Sequence, residues 1–152
     1  MKYKGFTVLE ILVAISIITL VVTIITISFS KLNSAQALDK SATLVTAVLD
    51  EARSLTLSSK GDSQYGIYFG DSQVTLFKGA TYSPSDPANV VTNLHALVSL
   101  RNITLFGGGT SVVFKRLTGN TNQTGTAEVF LKDSPTTFRT ITISATGIVE
   151  LN

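Results

Sequence analysis

Hydrophobic and polar positions follow three regimes along this chain. Residues 11–29, ILVAISIITLVVTIITISF, contain no charge. Nineteen residues rise about 28 Å as an α-helix, close to the hydrocarbon thickness of a bilayer. The pattern then changes: Leu32, Ala35, Leu38, Ala42, Val45, Leu49, Ala52 and Leu55 recur at steps of three and four. Those steps mark one face of an amphipathic helix. Lys31, Asp39, Lys40, Asp50, Glu51 and Arg53 fall mostly off the stripe. Neither Gly nor Pro occurs between Phe6 and Ser59. The two regimes therefore predict one helix of roughly 54 residues and about 80 Å, with Gly61 in SSKGD as its C-terminal cap.

Beyond Gly61 short alternating runs, separated by Gly, Asn and Asp, replace the helical period. QYGIYF and QVTLFKG flank Gly70 and Asp71 and read as a hairpin. ATYSPSDPAN, with two of the three prolines, reads as a surface loop. HALVSL, NITLF, SVVFKRL, AEVFL, RTITIS and IVEL bring the total to seven or so short strands. The fold class that follows is α+β: a long N-terminal helix, transmembrane in its first half, with its C-terminal half packed against an antiparallel β-sheet head. Its expected parts are a leader at 1–5, a membrane helix at 6–30, an amphipathic continuation at 31–60 and a β-rich head at 61–152.

Charge sharpens this picture. Only 14% of the 152 residues are charged, against about 25% in ordinary soluble domains. The formal net charge of +2 rests on Lys2 and Lys4; without them ten basic residues face ten acidic ones. That balance is no footprint for nucleic acid. Lys2 and Lys4 place the N-terminus in the cytoplasm by the positive-inside rule, with everything after Ser30 outside. A secretory signal peptide is the competing reading, but its apolar region is about 7–15 residues and ends at a small-residue cleavage site. This run is longer and no A-x-A site follows it.

Candidate chemistry is sparse. The absence of cysteine excludes disulfides and thiolate sites, and the single histidine, His95, excludes clustered imidazole metal sites. Gly107, Gly108 and Gly109 lack the Lys-Ser/Thr of a phosphate loop and read as a flexible turn. Asp50 and Glu51 diverge by about 100° on a helix and read as a solvated face. Lys115 and Arg116 read as a surface pair beside a strand. No catalytic constellation and no cofactor site emerge, so an enzyme is not expected. One charge stands out: Glu10, near the start of the apolar run. A carboxylate in lipid costs roughly 2.5–3.5 kcal/mol or more, which makes it a functional residue by default. The plain alternative is a carboxylate at the interface, favoured by the helix N-terminal dipole.

The stretch KGFTVLEILVAISIITL, a short basic leader ending in Gly and then Phe-Thr-x-x-Glu before a long apolar run, resembles the signal of type IV pilins and type II secretion pseudopilins. The resemblance implies cleavage by a membrane prepilin peptidase between Gly5 and Phe6, and N-methylation of Phe6. It further implies that Glu10 neutralises the Phe6 amine of a neighbouring subunit. Two buried charges tolerate low dielectric only as a pair, and a head-to-tail contact that does not close generates a filament. Asn102-Ile-Thr and Asn122-Gln-Thr match the glycosylation sequon, and in a bacterial protein they read as chance. The partners implied are other pilin or pseudopilin subunits, the prepilin peptidase, an inner-membrane assembly platform and membrane lipid. The implied location is the bacterial inner membrane, single-pass, and then a pilus or pseudopilus.

Many major pilins carry a helix-loosening Gly and Pro near the places of Thr19 and Ile27. This chain has neither, but every residue from 17 to 27 except Leu20 is β-branched, an expected weak zone once lipid is left behind. LDEARSLTLSS, SVVFKRLTGNT and RTITISATGIVEL also resemble minor pseudopilin H of type II secretion and the FimT-like minor pilins. Some FimT-like proteins bind DNA through basic residues of the C-terminal segment. Here IVELN carries Glu150 and no Arg, which argues against nucleic acid as a partner. The expected function is a minor pseudopilin of a type II secretion system. A type IV pilus subunit, minor or major, and a membrane-anchored binding domain that never assembles are the alternatives.

Overall fold

Helix α1 spans Val8–Leu57. The computed structural model describes residues 5–152, apart from the side chains of Ile27, Ser28 and Ser30. Two compact units meet at Ala35, the second being Gln36–Asn152. In the first, every described side chain from residue 5 to residue 33 is exposed, and the helix is long and apolar enough to cross a membrane. Four of its hydroxyls are satisfied within the helix. Ser16, Thr19, Thr23 and Thr26 donate to the carbonyls of Leu12, Ile15, Thr19 and Val22 at 2.8, 2.8, 2.8 and 2.9 Å. Such bonds leave no bare donor for lipid, and they also loosen and bend helices. They fall in and beside the β-branched zone.

In the second unit Leu38, Ala42, Val45, Leu49 and Ala52 are buried, as their spacing predicts. Leu55 is only half-buried, and Thr56 is the fully buried residue of the last turn. Leu32 and Ala35, on the same stripe, are exposed. The helix stops at Leu57, short of Gly61. Ser59 takes the left-handed conformation (φ 49°) and its N–H returns to the Thr56 carbonyl at 3.1 Å. The Thr56 hydroxyl donates to Ala52 O at 2.8 Å and accepts the Tyr65 N–H at 2.9 Å. One side chain thus closes the helix and draws the chain back into the first strand.

Eight strands occur among the described residues: β1 Tyr65–Phe69, β2 Gln73–Lys78, β3 Val90–Asn93, β4 Val98–Leu105, β5 Ser111–Val113, β6 Gly125–Leu131, β7 Ser134–Ile143 and β8 Val149–Leu151. They form two antiparallel sheets, ordered β3-β2-β1-β5 and β4-β6-β7-β8. Period-two alternation sends Ile67, Phe69, Val74, Leu76 and Val112 of one sheet, and Val98, Leu100, Ala127, Val129, Ile141 and Ile143 of the other, into a core shared with α1. Each fully buried large side chain contributes about 1.5–3 kcal/mol. Phe77 lies outside that core. It covers Gly66 on the opposite face of its sheet and packs with Tyr82, which stacks on Tyr68 at 4.1 Å. The 80–89 loop is therefore pinned down, not loose.

Three strand expectations change. HALVSL and NITLF are one strand, β4, with a register irregularity between Arg101 and Thr104. Asn102 absorbs it at φ 48°, a conformation Asn tolerates better than most residues. Strand β3 follows the proline loop in four residues too few to show a period. SVVFKRL is a strand only to Val113. Lys115 N–H then bonds Asn120 O at 2.8 Å, and Leu117 turns the chain at φ 66°.

Candidate assembly site at the start of the helix

Lys2 and Lys4 lie outside the described residues. Gly5, Phe6 and Thr7 lead into α1 without regular structure. Among the described residues nothing lies within 4 Å of a Cβ built on Gly5, so packing against them does not call for glycine at this position.

Thr7 is the residue before the helix, and its hydroxyl accepts the Glu10 N–H at 3.2 Å while its carbonyl accepts the Ile11 N–H at 3.2 Å. This is an N-cap, which satisfies a first-turn donor that would otherwise face lipid unpaired. The signal for it stands in the sequence: Thr-x-x-Glu in TVLE is a capping-box pattern. The cap fixes Glu10 in the first turn, where a carboxylate is favoured by the helix dipole. Its side chain is exposed, and the carboxylate has no hydrogen bond or ion pair among the described residues. Phe6 is 80% exposed, and Val8, Leu9, Ile11 and Leu12 follow it bare. The arrangement sets a solitary negative charge in the first turn of a helix whose described side chains are exposed as far as residue 33.

The other singled-out residues are not gathered here. Asp50 and Glu51 are exposed on the second unit's helix face, and the three glycines 107–109 all have positive φ in a turn. Arg116 pairs with Asp62 at 2.6 Å, and Lys115 bonds the Asn122 side-chain oxygen at 2.6 Å. The His95 backbone N–H donates to Ser41 Oγ at 3.4 Å, and its ring Nδ1 accepts the Leu97 N–H at 3.3 Å. One cluster had no local signal in the sequence. Arg101 pairs with Glu128 at 2.8 Å and lies 4.6 and 5.5 Å from the ring centroids of Phe130 and Phe138.

The prokaryotic N-terminal methylation motif matches residues 1–26. The fold is similar to two crystal structures of the type IV minor pilin FimU from Pseudomonas aeruginosa. In one crystal form the TM-score is 0.58 at 17% identity, over 76% of this chain and 92% of that one. In the other it is 0.60 at 18% identity, over 82% and 92%. No curated protein matches the chain. At such identities the likeness concerns the fold. The chain carries a prokaryotic N-terminal methylation motif at its start and, behind it, a pilin-like α+β fold.

Proposed function

We propose that the chain is a minor pseudopilin of a type II secretion system. A prepilin peptidase cuts it between Gly5 and Phe6 and methylates Phe6, and it assembles through Glu10 and the 6–30 helix. It starts as a single-pass protein of the bacterial inner membrane, with Lys2 and Lys4 in the cytoplasm and the head outside, and then joins a pseudopilus. The observation that carries the processing step is Gly5, a glycine that packing among the described residues does not require, set just before an N-capped and bare apolar helix. The solitary Glu10 carboxylate supports the assembly step: paired with a neighbour's Phe6 amine it is tolerable in low dielectric, and unpaired it is not. The fold likeness to FimU favours a second reading, a minor subunit of a type IV pilus.

Intact mass and Glu10 substitutions test this. The chain extracted from its membrane is expected to lack Met1 to Gly5 and to carry one added methyl group. Glu10→Gln is expected to be processed normally yet to be missing from sheared filaments, because an unpaired buried amine costs about 3–5 kcal/mol. A full-length chain, or Glu10→Gln filaments at wild-type yield, overturns the proposal in favour of an anchored, non-assembling domain. Deleting the gene separates the two filament readings: loss of secreted proteins marks the pseudopilus, loss of surface fibres the pilus.

A further inference from the structure

A pocket of about 230 Å³ opens on the flank of the second unit, between α1 and the chain leaving β3. Its lining is Ala37, Lys40, Ser41 and Leu44 from one helix face, and Leu94 and His95, with Asn93, opposite them. We infer that this pocket binds a carboxylate carried on a short apolar stem. The floor is apolar through Ala37, Leu44 and Leu94. Lys40, Ser41 and His95 can each offer a hydrogen to the carboxylate. No carboxylate lines the pocket, and Lys40 has no ion-pair partner among the described residues. The acid next to Lys40 in sequence, Asp39, is already held by Arg139 at 2.8 Å.

Two further details point to an acceptor. Ser41 is 2% exposed. Its oxygen receives the His95 backbone N–H at 3.4 Å, while its own hydrogen has no acceptor among the described residues. A buried hydroxyl hydrogen left unpaired is costly, and an oxygen in the pocket would take it. The His95 ring is set by its neighbours: Nδ1 accepts the Leu97 N–H at 3.3 Å, so in the neutral ring the proton sits on Nε2. The Val98 N–H to His95 carbonyl bond at 2.8 Å anchors the turn that carries the ring. The volume lies below the usual range of about 300–1,000 Å³ for drug-sized ligands. At about 30 Å³ per water-sized group it holds six to eight heavy atoms. A short-chain fatty acid has that size, and so does a glutamate side chain of a partner protein. Both present the same chemistry, a carboxylate for Lys40, Ser41 and His95 and methylenes for the apolar floor.

His95 is the only histidine, so its imidazole resonances in the full chain, held in detergent micelles, report on this pocket alone. The probes are sodium butyrate, N-acetylglutamate N-methylamide and butylammonium chloride. Saturable movement of the His95 signals is expected with a carboxylate probe and not with butylammonium. Tighter butyrate assigns a free short-chain acid; tighter blocked glutamate assigns an acidic side chain. Lys40→Met, on an exposed residue, and Ser41→Ala are each expected to weaken binding about tenfold or more. Absence of saturation with both carboxylates, or equal binding by the Lys40→Met chain, overturns the inference. The readout is made on dispersed chains and is independent of filament assembly.

Discussion

Gly125 opens β6 opposite Leu105 of β4, at φ 154°. A Cβ added there would stand 1.9 Å from the Thr104 carbonyl oxygen and 2.9 Å from Leu105 Cα. Relief needs the two strands to part by more than an ångström, and both obstacles are backbone. They cannot part freely, because Phe106 N–H bonds Thr124 O at 2.7 Å just beyond the pair. Gly125→Ala therefore sacrifices two or three ladder bonds at about 1 kcal/mol each and adds about 1–2 kcal/mol of backbone strain. The expected loss is about 3–5 kcal/mol, which for a unit of this size lowers Tm by roughly 12–20 °C. Gly107→Ala is the control. Its φ is 86° and nothing lies within 4 Å of the added Cβ, so only strain remains, about 1–2 kcal/mol. Thermal unfolding of the full chain in detergent, followed by near-ultraviolet tyrosine dichroism, reads both. Equal melting temperatures for the two variants would refute the claim that backbone contact at Thr104 makes glycine obligatory at 125.

Thr7→Val removes the acceptor of the Glu10 N–H and is expected to cost about 1 kcal/mol at the helix start, read as faster amide exchange at Glu10 and Ile11; Thr7→Ser restores slow exchange. In a double-mutant cycle of Arg101→Met and Glu128→Gln, a pair 31% and 21% exposed in its side chains, the coupling is expected to be about 0.5–1 kcal/mol. A coupling of zero would assign Arg101 to packing on Phe130 alone. In purified filaments the amides of residues 17–27 are expected to exchange faster than those of residues 37–52. Uniform protection across both would remove the β-branched weak zone.

How much was legible in the amino-acid order follows from the range of each interaction. Helix α1 was legible because its apolar face repeats every three to four residues and its bonds are local. The β1–β2 hairpin was legible because Gly70 and Asp71 mark the turn between two alternating runs. The methylation motif is contiguous, so Gly5, Phe6 and Glu10 could be singled out without coordinates. Boundaries were less accessible. Ser59 ends the helix early because Thr56 finds Tyr65, and Asn102 joins two runs into one strand partly by bonding Glu128 at 2.9 Å. Neither partner is marked in the local pattern.

The chain order by itself thus determined the long helix, its lipid-like surface, the head's β character and the position of the solitary carboxylate. All of these rest on periodicity or on neighbours a few positions apart. Tertiary structure alone decided the two-sheet topology, the Arg101–Phe130 stack and the pocket where Lys40 and Ser41 face His95. The stack joins residues 29 positions apart in the chain, and the Ser41–His95 bond residues 54 apart. Only burial of both sheets and one helix face in a common core brings such residues within bonding distance.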